Sequence, residues 1–286
     1  NKVDPSGMYG EDVHYYFNYY LARYLELDQP SGWLTDKVAK KPVSEANIIA
    51  YFATRVDYDD STKPIGAGAK VRRRFHLLDR NDGRGVRGND MRVEDAIKSV
   101  ARSGDIEMFG LLLHVYQDTF AHEGYGDKLG HAVKIADGKI HRPGHEPDEP
   151  FRWPERERRM ASNVYDAMFI LAETRRGGIE KCPSLKEKSF EDFWQRISSV
   201  LLRRPGDLKH EEAQEERIAA WQQLIARDYR GAAPRCTDKN VYPSNPLARR
   251  MREISRRVPD WYARDYNHHA TWDNWQPTPP PAPIRI

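Results

Sequence analysis

Cysteine is almost absent: Cys182 and Cys236 are the two in 286 residues, and no Cys-x-x-Cys pair occurs. A disulfide-dense scaffold and a thiolate zinc cage are thereby excluded; the two cysteines can pair, but nothing requires it. Long apolar runs are missing as well, and none approaches the roughly 18 residues that span a bilayer. Residues 1–30 lack a basic start followed by an apolar stretch, so no secretory signal is expected. Charge of one sign is not in large excess. The net charge of +3 gives no bulk argument for nucleic acid. The runs Arg72-Arg73-Arg74, Arg156 to Arg159 and Arg249-Arg250 read first as solvated helix faces and second as contacts to an anionic substrate. There is no Gly-x-Ser-x-Gly elbow, and neither cysteine has a histidine nearby in sequence, so no covalent nucleophile is indicated. Gly66-Ala-Gly68 and Gly83-Arg-Gly85 lack the Gly-Lys-Ser/Thr ending of a phosphate loop. No strand series and no internal repeat is visible.

What the chain does have is helical periodicity and enough apolar content, 39%, for a core. Val13, Phe17, Tyr20, Leu21 and Tyr24 mark a first helix over residues 11–27. A second follows Ser44, a fitting N-cap, and runs to Val56. Residues 60–92 are Gly-rich and basic and read as a loop, with a turn at Asn81-Asp82-Gly83. A short helix is expected over 93–103 and the central helix over 105–122, then a loop from Gly124 to Pro154. A long helix starts at Pro154 and runs to Thr174. Further helices are expected near 187–202, 210–228 and 245–257, and the tail Pro277 to Pro283 is Pro-rich and extended. The expectation is a single all-α domain over residues 11–270 with long functional loops, preceded by a short segment (1–10) and followed by a tail (271–286).

The chemistry concentrates in Leu111-Leu-Leu-His114-Val-Tyr-Gln-Asp118-Thr-Phe-Ala-His122-Glu-Gly. A step of four residues drifts only about 40° around a helix, so His114, Asp118 and His122 share one face. That face continues the apolar stripe of Leu111 and Val115 and is expected to point inward. Two imidazoles and a carboxylate turned into a core are hard to satisfy without a bound metal. Ten histidines are present. His14 lies on the first helix, Asp57 ends the second, and His76 sits between Phe75 and Leu77. His131 and Asp148 fall in the loop after the central helix. Taken singly, His14 and His76 read as hydrogen-bonded core histidines, and Asp57, Asp59, Asp60 and Asp148 as caps or turn residues. Together they fit a cluster, because zinc accepts His nitrogen and carboxylate oxygen and hydrolytic sites often pair two metals. Asp118, in the middle of its helix, is the natural bridge.

His114-Val-Tyr-Gln-Asp118, followed by His122, resembles the central helix of the zinc-dependent phospholipases C and the single-strand-specific zinc nucleases. Ala46-Asn-Ile-Ile-Ala-Tyr-Phe-Ala-Thr-Arg-Val-Asp57 is similar to an uncharacterised bacterial family related to these phospholipases. The resemblance covers roughly residues 11–150. It implies an all-α fold around two or three zinc ions. Asp57, His76, His114 and Asp118 would hold one zinc, and Asp118 would bridge to a second bound by His14. His122 and His131, completed by Asp148, would hold a third. Asp57 and Asp118 would be the catalytic carboxylates, Asp57 as general base or water-orienting group. The chain departs from that family in lacking a zinc-binding N-terminal tryptophan. His122 also follows Asp118 at a slightly shorter spacing, and Ile135 stands where a glutamate follows the loop histidine, here His131.

A second resemblance lies at the other end. Asn1-Lys-Val-Asp4-Pro5-Ser6-Gly7-Met8 resembles the Asp-Pro-x-Gly-Leu junction that closes the β-cage core of Rhs-repeat polymorphic toxins. It implies a C-terminal toxin domain, secreted or delivered into a target cell as part of a longer chain. The Rhs core and a cognate immunity protein would be its partners. Three functions are then expected in competition. The first is a phospholipase C-like phosphodiesterase releasing phospholipid headgroups, with Tyr125, Phe151 and Trp153 as candidates for transient membrane contact. The second is a nuclease of the same fold, using the arginines on phosphates and aromatics for stacking. The third is a non-catalytic, metal-stabilised interaction or membrane-disrupting domain.

Overall fold

The computed structural model describes residues 10–36, 40–63, 68–76, 86–123, 134–136, 139–141, 149–204, 206, 210–230, 233–234, 244–261, 271–273, 275–277 and 279. The architecture is all-α. A π-helical turn, Asp12–Phe17, runs directly into α1 (Asn18–Tyr24). Two short strands, β1 (Pro30–Thr35) and β2 (Pro42–Ser44), form an antiparallel hairpin. The helices α2 (Glu45–Arg55), α3 (Gly68–Phe75), α4 (Met91–Ser103) and α5 (Ile106–Ala121) follow. A second small hairpin pairs β3 (Lys134–Ala136) with β4 (Lys139–His141). The rest comprises α6 (Pro154–Arg176), α7 (Pro183–Lys186), α8 (Phe190–Leu201), α9 (His210–Tyr229) and α10 (Ser244–Ser255).

Local chemistry explains the boundaries. Ser44 Oγ accepts from the Asn47 amide and caps α2. Asp90 and Asp105 cap α4 and α5 in the same way. Pro154 opens α6 at its first turn, and Gly177, at φ +75°, closes it in the left-handed region.

Three features differ from the sequence expectation. The basic stretch 60–92 contains α3, which carries Arg72, Arg73 and Arg74 in its last turn. The two hairpins are too short to show alternation in sequence. The first is held through tertiary contact, the Glu45 and Ala46 amides bonding the carbonyls of Gln29 and Leu27. Finally, α5 has no solvent face: every residue from Ile106 to Ala121 is buried. A helix buried all round belongs at the centre of a domain rather than at its surface. It packs most extensively on α2, where a Cβ at Gly110 would meet the Ile49 carbonyl oxygen at 2.6 Å. Only glycine permits that approach.

Around α5 lie α2, α4, α6, α10 and the π-helical turn. Two buried ion pairs tie the outer layer to this centre. Arg217 on α9 donates from Nε to Asp12 Oδ2 at 2.6 Å, and both side chains are about 1% exposed. Arg250 on α10 donates from Nε to Glu107 Oε2 at 2.6 Å. Arg250 also holds the Pro279 carbonyl at 2.8 Å, while Trp272 is fully buried and stacks on Trp261 and Trp275. Among the described residues no helix is long and apolar enough to cross a membrane.

Candidate metal centre

Five side chains converge on the Asp118 carboxylate from four chain segments. His114 and His122 come from α5 and its C-cap, His14 from the π-helical turn, His76 from the end of α3 and Asp57 from the end of α2. Oδ1 of Asp118 faces His14 Nε2 at 3.3 Å. Oδ2 faces His76 Nδ1 and His114 Nε2, each at 3.2 Å, and His122 Nε2 at 4.0 Å. Asp57 Oδ1 lies 3.5 Å from His114 Nε2 and 3.8 Å from His76 Nδ1. The imidazole rings of His14 and His114 are 4.0 Å apart, and those of His76 and His114 meet edge to face at 5.0 Å. All these side chains are fully buried except Asp57, which is 13% exposed.

Each position has a local cause. The π-helical turn that carries His14 has the wider i→i+5 hydrogen bonding that often marks functional sites, and the Asp12–Arg217 pair pins it two residues upstream. Asp57 sits in a turn closed by Thr62, whose hydroxyl donates to the Val56 carbonyl at 2.8 Å. Asp59 is a turn residue, accepting from the Ser61 amide, and Asp60 pairs with Lys63. The Thr62 carbonyl in turn receives His76 Nε2 at 2.8 Å.

That last bond decides the chemistry. A backbone carbonyl only accepts, so Nε2 of His76 carries a proton, and in the neutral ring the lone pair of Nδ1 points at Asp118 Oδ2. Two acceptors then face each other at 3.2 Å, both fully buried. Burial pushes His114 down to about 3 and His122 down to about 4, so both imidazoles are neutral at ordinary pH. Burial alone would raise Asp118. The surrounding imidazoles, His114 foremost, outweigh it and hold the carboxyl well below its usual range. An anionic carboxylate beside the neutral imidazoles of His114 and His122 is the protonation state of a metal-ligand set. Two groups have donor atoms close enough to share one cation: His14, His114 and Asp118, and Asp57, His76 and His114. His114 turns one nitrogen inward, so it serves one ion at a time.

Of the residues singled out in the sequence, His14, Asp57, His76, His114, Asp118 and His122 thus meet around one carboxylate. His131 and Asp148 lie outside the described residues, as does Tyr125. Phe151 and Trp153 are half-buried, and the Arg156 guanidinium lies over the Trp153 ring at 5.4 Å. Asn18, Thr62 and Gln117 were not legible as site residues. Gln117 adjoins Asp118 and Asn18 lies one turn beyond His14, but their meeting is a tertiary fact. Searches against family models, curated proteins and solved structures find no match to this chain.

Proposed function

We propose that the chain is a zinc-dependent phosphoric-ester hydrolase, phospholipase C-like, acting on phospholipid headgroups as the delivered domain of a larger toxin. The observation that carries the reading is the division of Asp118, with Oδ1 turned to His14 and Oδ2 turned to His76 and His114. A carboxylate presenting its two oxygens to two separate imidazole sets suits a bridge between two cations. Such ions, when bound, polarise phosphoryl oxygens and bring the pKa of a bound water down towards about 7. The protein's part is to hold and orient. His76, His114 and Asp57 form the more complete ligand set, and Asp57 is the acidic ligand that solvent reaches. That exposure suits Asp57 to orient the attacking water and accept its proton. The toxin role, the immunity partner and the Rhs core rest on the resemblance of residues 1–8.

A nuclease is the second reading, and one feature favours it. A cavity of about 510 Å³ is lined by Arg152, Trp153, Pro154, Glu155, Arg156 and Arg159. Arg156 donates to the Ala121 carbonyl at the end of α5, beside His122. Guanidinium groups around an indole suit a phosphate with a stacked base.

The test compares zinc-loaded protein on two substrates, headgroup release from phospholipid vesicles and cleavage of single-stranded DNA and RNA. Headgroup release abolished by chelator and restored by zinc supports the first reading. Cleavage of nucleic acid alone moves the assignment to the second. A zinc-loaded protein that turns over neither substrate sinks both.

A further inference from the structure

His14 differs from His76 in the group that meets its ring, which for His76 is the Thr62 carbonyl. His14 Nδ1 instead lies 3.0 Å from Gln117 Oε1. Gln117 and Asn18 form a reciprocal pair: Asn18 Nδ2 donates to Gln117 Oε1 at 3.1 Å, and Gln117 Nε2 donates to Asn18 Oδ1 at 3.0 Å. Amide groups can be turned either way, so these bonds alone do not say which atom faces the ring. The reference is one bond further out. Asn18 Nδ2 also donates to the His14 backbone carbonyl at 2.9 Å, and that carbonyl can only accept. The carbonyl orients Asn18, Asn18 orients Gln117, and Gln117 presents an oxygen to His14 Nδ1. All three side chains are fully buried, so water does not loosen the arrangement.

We propose that Asn18 and Gln117 are positioning residues that keep the proton of His14 on Nδ1 and so present its Nε2 lone pair to a cation on the Oδ1 side of Asp118. The inference rests on the metal-centre reading and adds to it. Nε2 of His14 and Oδ1 of Asp118, 3.3 Å apart, are then both acceptors, like His76 Nδ1 and Oδ2 on the other side. Each oxygen of the bridge therefore faces an imidazole nitrogen stripped of its proton by a partner outside the ligand set. Thr62 does this for one cation position, and the Asn18–Gln117 pair does it for the other. Partners of this kind set ligand basicity and ring orientation, and their loss typically costs about 10–100-fold in metal affinity.

The experiment reads the tautomer directly, by long-range proton–nitrogen NMR of the histidine rings in chelator-treated and zinc-loaded protein. Zinc affinity is measured in parallel by competition with a chromogenic chelator. In the wild type His14 is expected to carry its proton on Nδ1 in both states. Gln117→Met, which removes the acceptor, should mix the tautomers and weaken one zinc equivalent about 10–100-fold while sparing the other. Gln117→Glu keeps an acceptor against Nδ1 and should retain both the tautomer and the affinity. A loss of packing alone would lower thermal stability without moving the tautomer. His14 protonated on Nε2 in the wild type overturns the proposal. So does Gln117→Met with tautomer and both affinities unchanged. The wild-type tautomer needs no variant, so a Gln117→Met protein that fails to fold leaves the proposal decidable. A wild type that binds zinc and hydrolyses no phosphodiester ends the proposed activity and leaves this assignment standing.

Discussion

Helix α5 carries two buried carboxylates, Glu107 near its start and Asp118 near its end, and the protein surrounds them in opposite ways. Glu107 receives a guanidinium, Arg250 Nε at 2.6 Å. Asp118, about 16 Å further along the axis, receives imidazoles from His14, His76 and His114. Asp12, two residues from His14, is paired like Glu107, with Arg217 as its cation. Where a buried carboxylate only holds helices together, an arginine supplies both the charge and the donors. Where the carboxylate is surrounded by groups that are neutral when buried, the missing charge must come from elsewhere. The contrast separates an ion-paired acid from a candidate ligand on one helix.

The sharpest way to break the comparison is to neutralise each acid. Asp118→Asn keeps the shape and removes the anion. Metal content measured by atomic emission should fall to background, and any zinc-dependent hydrolysis should be lost with it. In chelator the variant should unfold within about 1 kcal/mol of the wild type, because an amide can donate to His76 Nδ1 where the carboxylate could not. Metal content equal to the wild type would sink the ligand assignment.

Arg250→Ala should behave in the reverse sense. It leaves Glu107 buried without its cation and should cost about 3–5 kcal/mol in denaturant unfolding, with metal per folded chain unchanged. The double replacement Glu107→Leu with Arg250→Met should recover most of that loss, since apolar pairs of similar volume often match a buried ion pair. No recovery would mean that the pair does more than hold α10 against α5.

Acid should tell the two regions apart in chelator-treated protein. His114 and His122 stay neutral in the fold down to about 3 and about 4, but take up protons near 6.5 when unfolded. Each therefore drains stability as pH falls from 6.5, by up to about 1.4 kcal/mol per pH unit, until its folded value is reached. Asp118, held low, adds a loss below its ordinary value of 3.8. Glu107 opposes them: burial pushes it up to about 7 from 4.5, so the fold gains stability as pH drops through that window. Unfolding free energies measured from pH 7 to 4 should fall overall. They should fall more steeply in the Glu107→Leu, Arg250→Met protein, from which the opposing group has been removed. Equal slopes would place Glu107 outside the titration.

A smaller effect is expected where α5 meets α2. Gly110→Ala puts a Cβ against the Ile49 carbonyl oxygen and should cost about 1–3 kcal/mol by overpacking. Because that contact lies one turn before His114, loss of metal at unchanged stability would show that the two helices also set the ligand geometry.

Much of this was legible in the chain. The spacing of His114, Asp118 and His122 on an apolar segment announces an inward polar set. The capping serine at 44 and the proline at 154 mark helix starts that the structure reproduces. An inward stripe understates α5, which is buried on every side, its polar residues included. Helix α3 was hidden by its opening glycine and its arginines, which carry little apolar periodicity. The π-helical turn around His14 and the two short hairpins leave no periodic trace either. Asn18, Thr62 and Gln117 are ordinary residues in sequence, and only their contacts make them part of the site.

Spacing within a helix is local, so the amino-acid sequence by itself determined that His114, Asp118 and His122 share a face and that their helix is too apolar to lie in water. Which groups meet that face is non-local. His14 and Gln117 are 103 residues apart, and His76 and Asp118 are 42 apart. Only the packing of α5 against the π-helical turn, α2 and the end of α3 brings them together. That packing also decides which ring nitrogen keeps its proton, because the deciding partners are a backbone carbonyl and an amide pair whose positions no local pattern records.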